Sequence, residues 1–189
     1  MKNFDERRNV PLLRIHNVVT TADIKQTVDI TRLNSYDWGI YDMEFYGGSC
    51  GYVKTRDMKG KVTVFLTGKL ISVGANSIKD SKNQLKKTID LLNKNNLISK
   101  VEVNTKVQNI VATLDIKTTL DIEKLSKQLD YSILNKKNFP ALIYKTEIGP
   151  TCLIFSSGKI VINGSKSINQ LNKVIDIFFQ LKLCNKIKV

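Results

Sequence analysis

The chain has 189 residues, 42% of them hydrophobic, which is long enough to bury a core and too apolar for a disordered chain. Its formal net charge of +13 points to a polyanionic partner, because neutralised phosphates release their counterions. No apolar run is long enough to span a bilayer and residues 1–8 are polar, so the expectation is a soluble intracellular protein without a secretory signal.

After a polar tail over 1–11, residues 14–24 alternate as a strand does, and Asp29 opens a short helical stretch. A strand-rich segment follows, with turns at Gly60 and Gly68. A long helix begins near Ser77, with Ile78, Leu85, Ile89 and Leu92 on one face and Lys79, Lys82, Lys86 and Lys87 elsewhere on its surface. The order then repeats. A strand spans 106–117, Asp121 opens a short helix, and turns fall at Gly149-Pro150 and Gly158. A final helix is expected from Ser167 to Leu183, with Ile168, Leu171, Ile175 and Phe178 on its apolar face and Ser167 as N-cap.

The repetition is visible residue by residue. IHNVVTTADI at 15–24 matches VQNIVATLDI at 107–116, an offset of 92. VFLTGKLISVG at 64–74 matches IFSSGKIVING at 154–164, an offset of 90, so two residues are missing between the blocks of the second copy. Such self-similarity marks two copies of one unit. The expected division is a tail at 1–11, a first repeat at 12–100 and a second at 101–189.

Several chemistries are excluded. His16 is the only histidine, so a site needing two histidines within one chain is ruled out. Cys50, Cys152 and Cys184 lie far apart, without metal-ligand spacing, and read as core or partly buried thiols. No Gly-rich phosphate loop, catalytic triad or catalytic acidic cluster is present, and no cofactor is implied.

One feature demands an external partner. In the strands around 152–163, Cys152, Ile154, Ile160 and Ile162 point one way, and Leu153, Phe155 and Val161 point the other. A sheet apolar on both faces, with helices enough for one, needs something else to cover the second.

QNIVATLDI at 108–116, NFPALIY at 138–144 and LIFSSGKIVINGSK at 153–166 resemble the signature blocks of the TATA-binding protein family, and the resemblance extends over roughly 12–184. It implies an α+β saddle, in which both repeats form one curved antiparallel sheet with helices on the convex back. The concave face would bind the minor groove of double-stranded, AT-rich promoter DNA without catalysis. Asn17 and Asn109 match the family's paired amide donors, with Val19 and Val111 on the same face. Ile71 and Val161 match its apolar positions, and Val73 and Asn163 stand where the family usually has Thr.

The family inserts two Phe wedges per repeat. Phe139, followed by Pro140, and Phe155 match both in the second copy, and Phe65 matches one in the first. The spacing of the second pair, carried back from Phe65, falls on Ser49, and Phe45 or Tyr46 would serve only with a shift of register. The other reading of Phe139 and Phe155 is as ordinary core aromatics. The candidate surface is Asn17, Val19, Phe65, Lys69, Ile71, Val73, Asn109, Val111, Phe139, Pro140, Leu153, Phe155, Lys159, Val161 and Asn163.

Lys54, Arg56 and Lys145, with Lys69 and Lys159, fall near strand ends, where phosphates would lie. Glu147, in the second strand-turn stirrup, is the candidate contact for a transcription factor IIB-type partner, with RNA polymerase machinery beyond it. The resemblance implies a monomer on DNA, in a nucleus or, in an archaeon or virus, in cytoplasm. Two alternatives stand beside a promoter-bending factor. One is a module of the same fold that regulates or binds nucleic acid without strong kinking. The other is the accessory fold of an enzyme, whose catalytic domain would need more chain than is present.

Overall fold

The computed structural model describes residues 12–181. It separates into two compact units, one of residues 17–108 and one of 109–181 together with 12–16.

In the first unit, β1 (Leu12–Asp23), from Asn17 on, pairs antiparallel with β5 (Lys69–Ala75). β4 (Lys61–Phe65), β3 (Cys50–Val53) and the short edge strand β2 (Gly39–Tyr41) extend the sheet in the order β2-β3-β4-β5-β1. The stretch opened by Asp29 is a 3-10 turn, Ile30–Ser35, that buries Ile30 and Leu33. Helix α1 (Ile78–Lys94) packs on β5 and β4. It begins where expected, and Ser77 caps it: Ser77 Oγ accepts the Asp80 N–H at 3.0 Å.

The second unit repeats the plan. β6 (Thr105–Asp115), from Asn109 on, β10 (Lys159–Ser165), β9 (Thr151–Phe155), β8 (Ala141–Lys145) and β7 (Ser132–Leu134) follow one another across its sheet. Asp121 caps the one-and-a-bit-turn helix α2 (Ile122–Ser126) by accepting the N–H groups of Glu123 and Lys124. Helix α3 (Ile168–Gln180) lies on β10, and Ser167 Oγ accepts the Gln170 N–H at 3.0 Å.

Two expectations about α3 are corrected. It ends at Gln180, with Leu181 as its C-cap, short of Leu183, which lies outside the described residues. Ile168 is 41% exposed; Leu171, Val174, Ile175 and Phe178 form the buried stripe.

The interfaces under the two helices differ in chemistry. Beneath α3 they are apolar: Leu171, Val174 and Phe178 are buried, as are Ile160 and Ile162 of β10. Beneath α1 the same places carry Ser81, Gln84 and Thr88, all buried, over Ser72 and Thr20. Ser81 Oγ meets Thr20 Oγ1 at 2.8 Å and Ser72 Oγ at 3.1 Å. Ser81, Thr20 and Ser72 thus satisfy one another, whereas Thr88 Oγ1 and Gln84 Nε2 are buried with no partner among the described residues. Leu85 and Leu92 supply the apolar part of that interface.

Two turn glycines are fixed by close backbone approach. Gly68 and Gly158 both sit at φ 85°, and a Cβ there would stand 2.1 Å from Gln26 O and 1.9 Å from Thr118 O respectively. Cys50 and Cys152 are buried free thiols, and burial pushes the Cys152 thiol up to about 12. Cys184 and the tail at 1–11 lie outside the described residues. Among the described residues, no helix is long and apolar enough to cross a membrane.

Candidate nucleic-acid interface

Strand alternation gives each sheet a helix-side face and an opposite face. Val62, Val64 and Leu70 in the first unit, and Cys152, Ile154, Ile160 and Ile162 in the second, are fully buried on the helix side. The opposite side chains are half-buried in the inner strands and exposed at the edge strands, at Ile40 and Ile133. Ladder pairing orders them into one row per unit, running from the edge strand inward. In the second unit the row is Ile133, Ile143, Leu153, Val161 and Thr113. In the first it is Ile40, Tyr52, Thr63, Ile71 and Thr21. Leu153 and Val161 in the second unit, and Ile71 in the first, therefore each lie with their row mates on the uncovered face of their own unit, as the alternation requires. The row as a unit was hidden in the sequence, because strand pairing assembles it from five separated segments.

Each unit carries an amide donor locked by a glycine bulge. The β1–β5 pairing shifts register between Val18 and Thr20, and the β10–β6 pairing shifts between Asn163 and Ser165. Gly74 (φ 85°) and Gly164 (φ 102°) lie at these irregularities. Their N–H groups donate to Asn17 Oδ1 and Asn109 Oδ1, each at 2.8 Å. A backbone N–H can only donate, so it fixes which end of each carboxamide is oxygen. The NH2 end is thereby turned away from the bulge. Asn109 Nδ2 donates to Asn163 Oδ1 at 2.9 Å, which leaves Asn163 Nδ2 as the next donor in line. Asn17 Nδ2 has no hydrogen-bond partner among the described residues. The signal for this device was present in the sequence: a Gly repeated inside a strand marks a bulge. Val19 and Val111 are half-buried close by, with Val111 opposite Asn163 in the ladder, and Val73 is half-buried in β5.

The aromatic residues divide unequally. Phe139 and Phe155 meet edge to face, with centroids 6.3 Å apart at 62°, and Phe139 is 38% exposed. Pro140 is exposed between Phe139 and β8. In the ladder, Ala141 pairs with Phe155 and Cys50 pairs with Phe65. The place of Phe139, two residues before Ala141, therefore falls on Gly48 in the first unit, not on Ser49. The β2–β3 connection is the longer one, and it holds a 3-10 turn, Phe45–Gly48, with Tyr46 and Gly47 left-handed. Tyr46 is exposed and Ser49 Oγ donates to its carbonyl, so Tyr46 is a turn residue. The side chain of Phe45 lies outside what is described.

Charge gathers at the strand ends. A hollow of about 680 Å³ in the first unit is lined by Thr21, Phe65, Lys69 and Ile71, among others. Its counterpart of about 420 Å³ in the second is lined by Thr113, Phe155, Lys159 and Val161, with Arg14 and His16. Lys69 pairs opposite Asp23 and Lys159 opposite Asp115. The Lys117 ammonium, bonded to Asp115 at 2.7 Å, holds that carboxyl below the usual range. Lys145 is exposed at the end of β8, and Arg56 is exposed in the β3–β4 turn. Lys54 is committed locally: its Nζ donates to the carbonyls of Met58 at 2.6 Å and Lys59 at 3.0 Å. Glu147 is exposed in the turn between β8 and β9.

With this geometry in view, the likenesses to other proteins are consistent. The family model for transcription factor TFIID, or TATA-binding protein, matches residues 12–95 and 104–181. The TATA-box-binding protein of Cenarchaeum symbiosum is 38% identical over 160 residues, covering 85% of this chain and 88% of that one. That of Pyrodictium occultum is 30% identical over 187 residues, covering 97% and 92%. The solved structure of Methanococcus jannaschii TBP superposes with a TM-score of 0.79 at 24% identity, covering 89% of this chain and 96% of that one, so the fold expected from the resemblance is the fold found. The chain belongs to the TATA-binding protein family.

Proposed function

We propose that this chain is a general transcription initiation factor that binds AT-rich promoter DNA through the minor groove, with one repeat on each half of the site. The observation that carries this reading is the uncovered apolar face with a glycine-locked amide donor in each unit. The minor groove of A·T pairs offers acceptors and no amino group. An apolar surface with a few outward N–H donors matches it, and Asn17, Asn109 and Asn163 supply the donors. Val19, Val73, Val111, Leu153, Val161 and Ile71 supply van der Waals contact. Lys69, Lys159, Lys145 and Arg56 meet phosphates and set position without reading sequence.

Phe139 and Phe155 act as a wedge pair that opens a base step and bends the duplex, as minor-groove architectural proteins do. Phe65 serves the other end alone. The bound chain acts as a monomer, with its internal repeat supplying the near-symmetry that a duplex requires. The turn bearing Glu147 docks a transcription factor IIB-type partner, which brings in the polymerase. None of these roles calls for a catalytic group.

A second reading, a family member that binds without strong kinking, is favoured by one observation: Gly48 stands where the first repeat would hold its second wedge. Competition at fixed salt tests the main reading, because phosphate contacts alone are blind to sequence. An unlabelled AT-rich duplex should displace a labelled one far better than a GC-rich duplex of equal length. Equal displacement would refute minor-groove readout of A·T pairs.

A further inference from the structure

The uncovered faces of the two units differ at the same two ladder positions. Where the second unit presents Ile143 and Leu153, the first presents Tyr52 and Thr63. Both pairs are half-buried on the face away from the helices. The Tyr52 ring carries the Lys61 ammonium 3.5 Å from its centroid, so this part of the first unit is polar and cationic where the second is aliphatic. The Thr63 hydroxyl has no hydrogen-bond partner among the described residues.

In the minor groove a G·C pair differs from A·T by the guanine amino group, which is a donor. Pressed against Leu153 and Ile143, that amino group loses water and finds no acceptor, a penalty that buried polar groups pay in full. Pressed against Thr63, it finds a hydroxyl oxygen. Because a hydroxyl rotates, the same group donates to the acceptors of an A·T pair. We infer that Thr63 makes the first repeat's half of the DNA site tolerant of a G·C pair while the second repeat's half is confined to A·T. A promoter with a G·C pair in one half would thereby fix the direction in which the chain sits. This inference rests on the minor-groove reading above.

The test uses three kinds of duplex: an all-A·T site, a series with one G·C pair placed at each position of one half in turn, and the site with one G·C pair in both halves. The wild-type chain can turn round to place its first repeat on the altered half. At the tolerant position it should bind the singly altered duplex within about twofold of the all-A·T site, and the doubly altered one about tenfold more weakly, as expected for one unpaired donor. Thr63→Val keeps the side-chain shape and removes the acceptor. Relative to its own binding of the all-A·T site, it should discriminate against the singly altered duplex about tenfold more than wild type does. Leu153→Thr should recover binding to the doubly altered duplex. Matched thermal melts confirm that the variants are folded, and Leu153→Thr tests the idea through a gain. Equal behaviour of Thr63→Val and wild type on every duplex, or no recovery with Leu153→Thr, overturns the inference and leaves the A·T preference standing. Loss of any preference for the all-A·T site over a GC-rich duplex would overturn the minor-groove reading itself.

Discussion

Truncating Phe139 to alanine should uncouple DNA distortion from folding. The ring is 38% exposed and meets the Phe155 ring edge to face at 6.3 Å. An edge-to-face pair is worth about 0.5–1.5 kcal/mol beyond area burial. Adding the partial loss of buried surface gives a folding cost of about 1–2 kcal/mol, or a drop of a few degrees in Tm for a chain of this size. Phe178, fully buried under α3, is the control, since truncating a buried Phe costs about 3–5 kcal/mol. Thermal melts of Phe139→Ala and Phe178→Ala give the folding side. Energy transfer across an end-labelled AT-rich duplex gives the distortion side. Phe139→Ala should melt close to wild type and shorten the duplex much less, while its affinity for random DNA changes little. A melt as depressed as that of Phe178→Ala would make Phe139 a core aromatic and refute its role as a wedge.

Other outcomes follow from the packing. Gly158→Ala would drive a Cβ to 1.9 Å from Thr118 O at a left-handed φ, so it should destabilise by about 2 kcal/mol or more in chemical denaturation. Ser81→Ala removes the hub joining Thr20 and Ser72 and should cost about 1–3 kcal/mol, while the equivalent Leu171→Ala should cost about 2–5 kcal/mol by opening a cavity. Comparable small losses in both would show that the interfaces beneath the two helices are equally loose. Cys50 and Cys152 should resist thiol reagents at pH 8 in a Cys184→Ser background, since burial raises both and holds Cys152 near about 12; both should label after denaturation. Rapid native labelling would contradict their burial.

Much of the fold was legible because the chain states it twice. Offsets of 92 and 90 aligned strands, turns and the long helices, and the caps Ser77 and Ser167 bond as N-caps should. The uncovered apolar face could be read from alternation alone, since Leu153, Phe155 and Val161 oppose a fully buried set. The place of the missing wedge was misread by one residue, because a fixed spacing cannot register that the β3–β4 connection is one residue longer than the β8–β9 connection in the ladder. Lys54 looked like a phosphate contact from its position at a strand end, but two carbonyls of its own turn claim it. The bonds from Gly74 to Asn17 and Gly164 to Asn109 needed the ladder shift to become visible, although all four residues stood out in the repeat.

The most direct test of the account is the end-to-end distance of a doubly labelled AT-rich duplex at saturating protein. Phe wedges in the minor groove predict a shortened duplex, with the distortion reduced to what Phe65 alone produces when Phe139 and Phe155 are both replaced by alanine. A duplex that stays straight at saturation would contradict the account.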